Sequence, residues 1–194
     1  MYDLPTSVFI EDEEYKIRDA GDFRVILDCF SALGDVELGE TFRVLASLII
    51  FYEDLDEDLV FHLDEEILLQ LVKEMYKFFT CGQEEQIASA QPKLIDWDKD
   101  AQIIMSGVNS VAGKEVRAEK YVHWWTFMGY YMAIGESVLS TVVSIRNKIL
   151  KGKKLEKWEE EFRRDNPKYF NWNSKTVEEQ ELDALVHELW NSGE

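Results

Sequence analysis

The stretch that decides the fold is YVHWWTFMGYY, residues 121–131, in which six of eleven residues are Trp, Tyr or Phe. Such a run has two interpretations: its rings pack in the core of a helical protein, or they form a platform on which nucleic-acid bases stack. The flanks are not basic enough to follow a phosphate backbone, which favours the core. We therefore predict that the aromatic segment, residues 121–131 of an apolar run that extends to residue 134, packs in the core.

Helical patterns follow this segment toward the C-terminus. Gly135 interrupts the apolar run, and a helix then begins with five apolar residues: Val138, Leu139, Val142, Val143 and Ile145. This helix is expected to end in the basic stretch 146–157. Farther on, one more helix is predicted over Val177–Trp190, with an apolar stripe formed by Leu182, Leu185, Val186 and Leu189.

A short β-hairpin is predicted near the N-terminus. Around the acidic tip, residues 11–14, four apolar residues alternate with polar ones: Val8, Ile10, Tyr15 and Ile17. Alternation with a period of two is typical of a strand with one buried face. The hairpin therefore precedes the helical part of the chain.

Four helices are predicted between this hairpin and the aromatic segment. They run from Asp22 to near Gly34, from after Gly39 to the acidic run 53–58, from Asp64 to near Gly82, and from Asp96 or Asp98 to near Ala112. The aspartates are expected to cap these helices, because their carboxylates accept the free backbone N–H groups of a first turn. In the second helix one face is expected to hold Phe42, Leu45, Leu48, Ile49 and Tyr52.

The predicted fold class is mainly α, a helical protein with a short N-terminal β-hairpin. Residues 83–95 are polar and lack periodicity, which is typical of an exposed linker or hinge. We therefore predict an N-terminal hairpin plus helical module at residues 1–82, a linker at residues 83–95, and a C-terminal helical module at residues 96–194.

Composition argues against several classes of partner. The formal net charge of −18 repels phosphate backbones and anionic lipids, so neither nucleic acid nor a membrane is expected, whereas a basic protein is favoured. The longest apolar stretch, Val44–Tyr52, is shorter than the roughly 20 residues that cross a bilayer. No signal-peptide pattern opens the chain, so we expect a cytosolic protein whose Cys29 and Cys81 are free thiols.

Patterns for catalysis or metal binding are weak. Asp54, Asp56, Asp58 and Glu65 occupy the first, third, fifth and twelfth positions of a calcium-loop pattern, but Leu59 stands where the loop needs glycine for its sharp turn. A solvated acidic loop joining two helices explains these residues better. No histidine has a second His or Cys at metal-ligand spacing, and no nucleophile elbow or phosphate-binding glycine loop occurs. We expect no catalytic activity, no metal and no cofactor.

Charge is distributed unevenly along the chain. Residues 1–80 carry 6 basic and 20 acidic groups, whereas residues 146–194 carry 10 and 11. A basic patch is formed by Arg146, Lys148, Lys151, Lys153, Lys154 and Lys157. It is either a solvated face at a helix C-terminus or an electrostatic contact with the acidic module of another copy or of a partner. The second interpretation makes these residues candidates for self-association into a homo-oligomer.

Three blocks carry a family resemblance: Asp96-Trp97-Asp98-Lys99-Asp100-Ala101-Gln102-Ile103-Ile104, His123-Trp124-Trp125-Thr126-Phe127 and Ile145-Arg146-Asn147-Lys148. Together with Leu4-Pro5 and Asp22-Phe23-Arg24, they resemble a family of bacteriophage tail-assembly proteins encoded near the tape-measure gene. The resemblance covers about residues 4–170. It departs from the family pattern at Ala112-Gly113-Lys114-Glu115-Val116, before the His-Trp-Trp block.

This resemblance implies a tail-assembly chaperone in the host cell cytoplasm, which coats the tape-measure protein and helps tail-tube protein polymerise around it. Two alternatives stay open: a structural or tail-completion component of the virion, and an acidic regulatory protein that mimics DNA. Candidate contacts with the partner are five aromatic residues in a polar, weakly periodic region: Trp158, Phe162, Tyr169, Phe170 and Trp172. Their side chains are either exposed anchors or part of the core.

Overall fold

The computed structural model describes residues 3–83 and 94–170 of the chain. These residues contain eight α-helices and one β-hairpin, joined by loops and short 3-10 turns. The strands are β1 (Ser7–Ile10) and β2 (Glu13–Lys16). The helices are α1 (Phe23–Leu33), α2 (Glu40–Phe51), α3 (Glu57–Val60), α4 (Glu65–Phe79), α5 (Ala101–Ala112), α6 (Trp124–Met132), α7 (Val138–Leu150) and α8 (Lys157–Asp165). The predicted class, mainly α with an N-terminal hairpin, is confirmed.

The hairpin closes at its acidic tip without glycine or asparagine. β1 and β2 are antiparallel, with Val8 opposite Tyr15, and the two tip residues Glu11 and Asp12 adopt φ values of 50° and 74°. Positive φ at both central residues gives a two-residue turn the twist that antiparallel strands require. Tyr15 is buried, and its ring meets Tyr52, at the end of α2, edge to face. The hairpin is therefore anchored to the helices by its buried face.

The predicted starts of α1, α2 and α4 are confirmed at Asp22, Gly39 and Asp64, but the Asp64 side chain makes no capping bond, contrary to the prediction. Asp22 acts as expected, because its Oδ1 accepts the backbone N–H of Arg24 at 3.0 Å. The short helix α3 was not predicted. It begins inside the acidic run, where the Asp56 carboxylate accepts the N–H of Leu59 at 2.8 Å. A single turn is too short to show a helical period in the sequence.

The start of α5 was predicted wrongly. The helix begins at Ala101, not after Asp96 or Asp98. The Asp96 carboxylate accepts the N–H groups of Asp98 and Lys99, which stabilises a turn before the helix instead. Asp100 occupies the N-cap position, but its side chain makes no capping bond, because it binds an arginine of α7.

The basic stretch 146–157 contains both the end of α7 and the start of a helix that was not predicted, α8. As predicted, α7 ends inside this stretch, at Leu150. The chain then turns through residues 151–156 and begins α8 at Lys157, where the N–H of Glu156 donates to the Glu159 carboxylate at 2.8 Å. α8 was missed because its first turn is almost entirely charged and shows no apolar periodicity.

One buried core contains side chains from both sides of the predicted linker. The Trp124 ring of α6 meets Phe30 of α1 edge to face at 5.6 Å between centroids, and Phe127 of α6 stacks on Phe23 of α1 at 4.7 Å. The two predicted modules thus share a core. The linker at 83–95 stays a prediction because residues 84–93 lie outside the described part of the chain, as does the predicted helix Val177–Trp190.

We predict that Gly21→Ala destabilises the fold by about 2–4 kcal/mol, since it combines left-handed strain with overpacking. Gly21 has a φ of +76°, and a Cβ there would lie 2.6 Å from Phe78 Cζ and 3.2 Å from His123 Nε2. Urea denaturation followed by far-UV circular dichroism measures the change. Gly135→Ala is the control, because a Cβ at that position would meet no other atom within 4 Å. Equal stability of the two variants would contradict the prediction.

Candidate functional site

The His-Trp-Trp block at the start of α6 binds the C-terminal end of α4. Trp124 Nε1 donates to the Phe79 carbonyl and Trp125 Nε1 donates to the Phe78 carbonyl, each at 2.9 Å. The last carbonyls of a helix lack their usual partners within the helix. Trp124 supplies a partner for the Phe79 carbonyl, whereas Trp125 adds a second bond to the Phe78 carbonyl, which also accepts the N–H of Cys81. The core interpretation is confirmed for Trp124 and Phe127, which are buried, but not for Tyr121, which is exposed.

His123 connects this block to the N-terminal segment. Its Nδ1 accepts the N–H of Trp125 at 3.0 Å, which assigns the ring proton to Nε2, and Nε2 donates to the Pro5 carbonyl at 3.0 Å. Burial lowers the pKa of His123 below 6.5, while the bond to Pro5 and the charge of Asp22 oppose this shift. Acting as both donor and acceptor, the neutral ring caps α6 and secures the chain before β1.

Asp22 fixes the start of α1 to the same block. Its buried carboxylate accepts the N–H of Val122 at 2.8 Å, in addition to capping α1, and forms an ion pair with Arg24 at 2.9 Å. Arg24 Nη2 then donates to the Glu119 carbonyl at 2.7 Å. The bonds from Asp22 to Val122 and from Arg24 to Glu119 join residues about a hundred positions apart. They therefore assemble the fold rather than form a reactive centre.

Arg146 is buried and does not belong to the exposed basic patch predicted from the sequence. Its guanidinium pairs with the buried Asp100 carboxylate, with 2.9 Å between Nη2 and Oδ1. It also donates to the carbonyls of Leu94 and Tyr169. Because a buried cation needs both a counter-ion and hydrogen-bond acceptors, these contacts account for Arg146 as a structural residue. They hold the segments before α5 and after α8 against α7.

Four of the other basic residues form an exposed surface where α7 ends and α8 begins. Lys148 pairs with the buried Glu159 at 2.7 Å, and this bond lowers the pKa of Glu159. Beyond this pair lies the lysine surface, defined as the exposed side chains of Lys151, Lys153, Lys154, Lys157, Ile149 and Leu150. Within the described residues none of the four lysines takes part in an ion pair. Their charges are available to a partner.

The candidate aromatic anchors are not equivalent. Trp158, at the start of α8, has 55% of its surface exposed. By contrast, Phe162, Tyr169 and Phe170 are half-buried and pack against the core, with the rings of Phe162 and Phe170 meeting edge to face. Trp172 lies outside the described residues. Trp158 is therefore the described member of this set that is placed to contact a partner.

A second exposed surface was not recognised in the sequence. Phe42 and Phe61 lie at 57% and 60% exposure with their rings 6.4 Å apart, and Leu38 and Leu59 on the adjoining segments are also exposed. We call these four residues the Phe42–Phe61 surface. The prediction that Phe42 shares the buried face of α2 was wrong, because it lies in the first turn, where it meets Phe61 instead of the core. The sequence feature that could have indicated this surface is Phe61, an aromatic residue that lies close to the acidic run 53–58.

The described residues offer little to a metal ion or a bilayer. In residues 3–83 and 94–170 no group of three or more His, Cys, Asp or Glu side chains is arranged to hold a metal. None of the helices described there is long and apolar enough to cross a membrane. Asp54 and Asp56 of the calcium-like pattern accept backbone N–H groups of Lys16 and Leu59. The candidate functional site therefore consists of Trp158, the lysine surface and the Phe42–Phe61 surface, which are exposed.

Comparison with known families decides the identity of the chain. A family model described as Bacteriophage Gp15 protein matches residues 1–170. The chain belongs to this Gp15 family. It is a bacteriophage protein of the structural or virion-related class. Searches of curated proteins and of solved structures give no match.

In this Gp15-family protein, we predict that Asp100→Ala lowers the free energy of unfolding by about 3–5 kcal/mol, because it leaves a buried guanidinium without its counter-ion. Amide hydrogen exchange at residues 168–170 should also accelerate, since Arg146 binds the Tyr169 carbonyl. The control is Glu74→Ala, which removes the exposed pair with Lys77 and should cost about 1 kcal/mol or less. Similar losses in both variants would contradict a special role for the buried pair.

We also predict a histidine-dependent loss of stability in mild acid. Because the folded-state pKa of His123 lies below its ordinary value of 6.5, the unfolded chain binds a proton first. The free energy of unfolding should therefore fall as the pH drops below about 6.5, and this contribution should level off below the folded pKa. His123→Asn should lose it, whereas His62→Asn, at an exposed position, should keep it. Urea denaturation at several pH values tests this, and equal pH slopes in both variants would refute it.

Proposed function

We propose that this protein is a non-catalytic tail-assembly chaperone, which binds the tape-measure protein in the host cytoplasm and promotes polymerisation of tail-tube protein around it. The family match supports a bacteriophage role, and the sequence resemblance suggests the assembly step. The observation that carries the proposal is the exposure of Trp158 on α8. An exposed tryptophan on a rigid helix is typical of an anchor for a protein partner.

The surroundings of Trp158 suit a long amphipathic helix as the partner. The ring stands beside the lysine surface, whereas the chain as a whole carries a formal charge of −18. Exposed apolar groups mask the apolar face of a bound helix, and a large net charge keeps such a complex in solution. The Lys148–Glu159 pair joins α7 to α8, so the anchor is preorganised and its position costs little entropy on binding.

Trp158→Ala should weaken capture of coexpressed tape-measure protein by about tenfold or more, because it removes the exposed anchor. Phe9→Ala is the matched control, since Phe9 is also exposed but lies on the hairpin. Affinity capture with quantified tape-measure protein measures the effect, and circular dichroism verifies folding. If folded Trp158→Ala captures as much tape-measure protein as Phe9→Ala does, the surface around Trp158 does not bind the tape-measure protein.

Location separates the chaperone from its runner-up, a structural or tail-completion component. A chaperone should be required for tails but absent from purified particles. Quantitative mass spectrometry of purified phage, together with electron microscopy of lysates made without the gene, provides both readings. Stoichiometric amounts of the chain in particles would favour the structural component.

A further inference from the structure

The Phe42–Phe61 surface is apolar and belongs to a strongly acidic part of the chain. Residues 35–66 carry eleven acidic groups and one basic group, Arg43, which is buried. Among the described residues, none of these eleven carboxylates forms an ion pair. The two exposed phenylalanine rings are costly to leave in water. The neighbouring carboxylates repel anionic partners. The surface therefore fits a partner that presents apolar side chains next to unpaired cations.

The lysine surface of the same chain has this chemistry. It presents the exposed apolar side chains Ile149 and Leu150 and four lysines that pair with no described carboxylate. The Lys148–Glu159 pair fixes the end of α7 against the start of α8, so the apolar and cationic groups share one fixed region. Opposite charges around matched apolar centres give specificity and fast association.

These two surfaces do not satisfy each other within one copy. The Phe42–Phe61 surface belongs to α2, α3 and their flanking loops, and the lysine surface belongs to the junction of α7 and α8. No hydrogen bond or ion pair links the two among the described residues. In the described part of the chain, therefore, neither surface covers the other.

We infer that the Phe42–Phe61 surface of one copy binds the lysine surface of a second copy, so that the protein self-associates head to tail. The contact is heterologous, because different patches meet, and each added copy leaves one surface of each kind open. Such assembly produces a chain of copies or a closed ring rather than a two-fold dimer. The inference concerns the purified protein alone and does not depend on tape-measure binding.

Two surface variants and a mixing experiment test this. Phe42→Ala/Phe61→Ala removes the apolar centre of one surface, and Lys151→Glu/Lys153→Glu/Lys154→Glu reverses the charge of the other. All changes lie at exposed positions, so folding should survive, and circular dichroism checks it. Phe9→Ala and Lys120→Glu are controls for exposed aromatic and cationic residues elsewhere.

Sedimentation velocity of the full chain over a range of micromolar concentrations should show self-association. Raising the salt concentration from about 50 mM to about 500 mM should weaken self-association by about tenfold. At the higher concentration the Debye length is only a few ångströms, so attraction between exposed charges is screened. Each surface variant alone should be monomeric, and the controls should associate like the unmodified chain. A wild-type chain that stays monomeric at low salt would overturn the inference.

Mixing the two surface variants tests whether the two surfaces bind each other, and growth of the unmodified chain beyond a dimer in sedimentation velocity excludes a two-fold dimer. Each variant keeps one intact surface, so an equimolar mixture should form a one-to-one heterodimer that grows no further, visible by native mass spectrometry. An interface in which each surface contacts its own kind gives no rescue on mixing, and that result would overturn the inference. A surface variant that loses self-association but captures tape-measure protein normally shows that the two properties are separate. Failure of this inference can then be told from failure of the proposed function.

Discussion

Trp124 and Trp125 donate their indole N–H groups to the last two carbonyls of α4, and the described fold is assembled around this contact. Each such bond contributes only about 1 kcal/mol net, but leaving the Phe79 carbonyl buried without its Trp124 partner would cost more. The same residues bring α6 against α1, where Phe127 stacks on Phe23. One short block therefore determines how the N-terminal helices meet the C-terminal ones.

Buried charges extend this assembly to the rest of the chain. Asp22 joins α1 to the segment before α6, and Arg146 joins α7 to the segments around Leu94 and Tyr169. Because an ionised group in the core must be paired and hydrogen-bonded, each of these side chains admits few arrangements of the backbone around it. The family resemblance in the blocks around Asp100, His123 and Arg146 thus coincides with residues that hold the fold together.

The surfaces available for function are those that this assembly leaves uncovered. Most of the aromatic side chains near α8 are drawn against the core, while Trp158 remains outside. The lysines beyond Lys148 and the pair formed by Phe42 and Phe61 remain outside as well. Exposed apolar groups of this kind, on a chain with a formal charge of −18, suit the contacts with protein partners that we propose.

The sequence by itself determined the fold class, the hairpin, and the starts of α1, α2 and α4, because local periodicity and capping residues decide these features. It also indicated that the aromatic segment is core. Only the tertiary structure decided that Arg146 is buried against Asp100, that Phe42 faces Phe61, and that Trp158 alone among the described candidates is exposed. The physical reason is that burial and pairing depend on neighbours distant in sequence: a charge pattern shows which residues are basic, but only the packed helices show which of them find a partner.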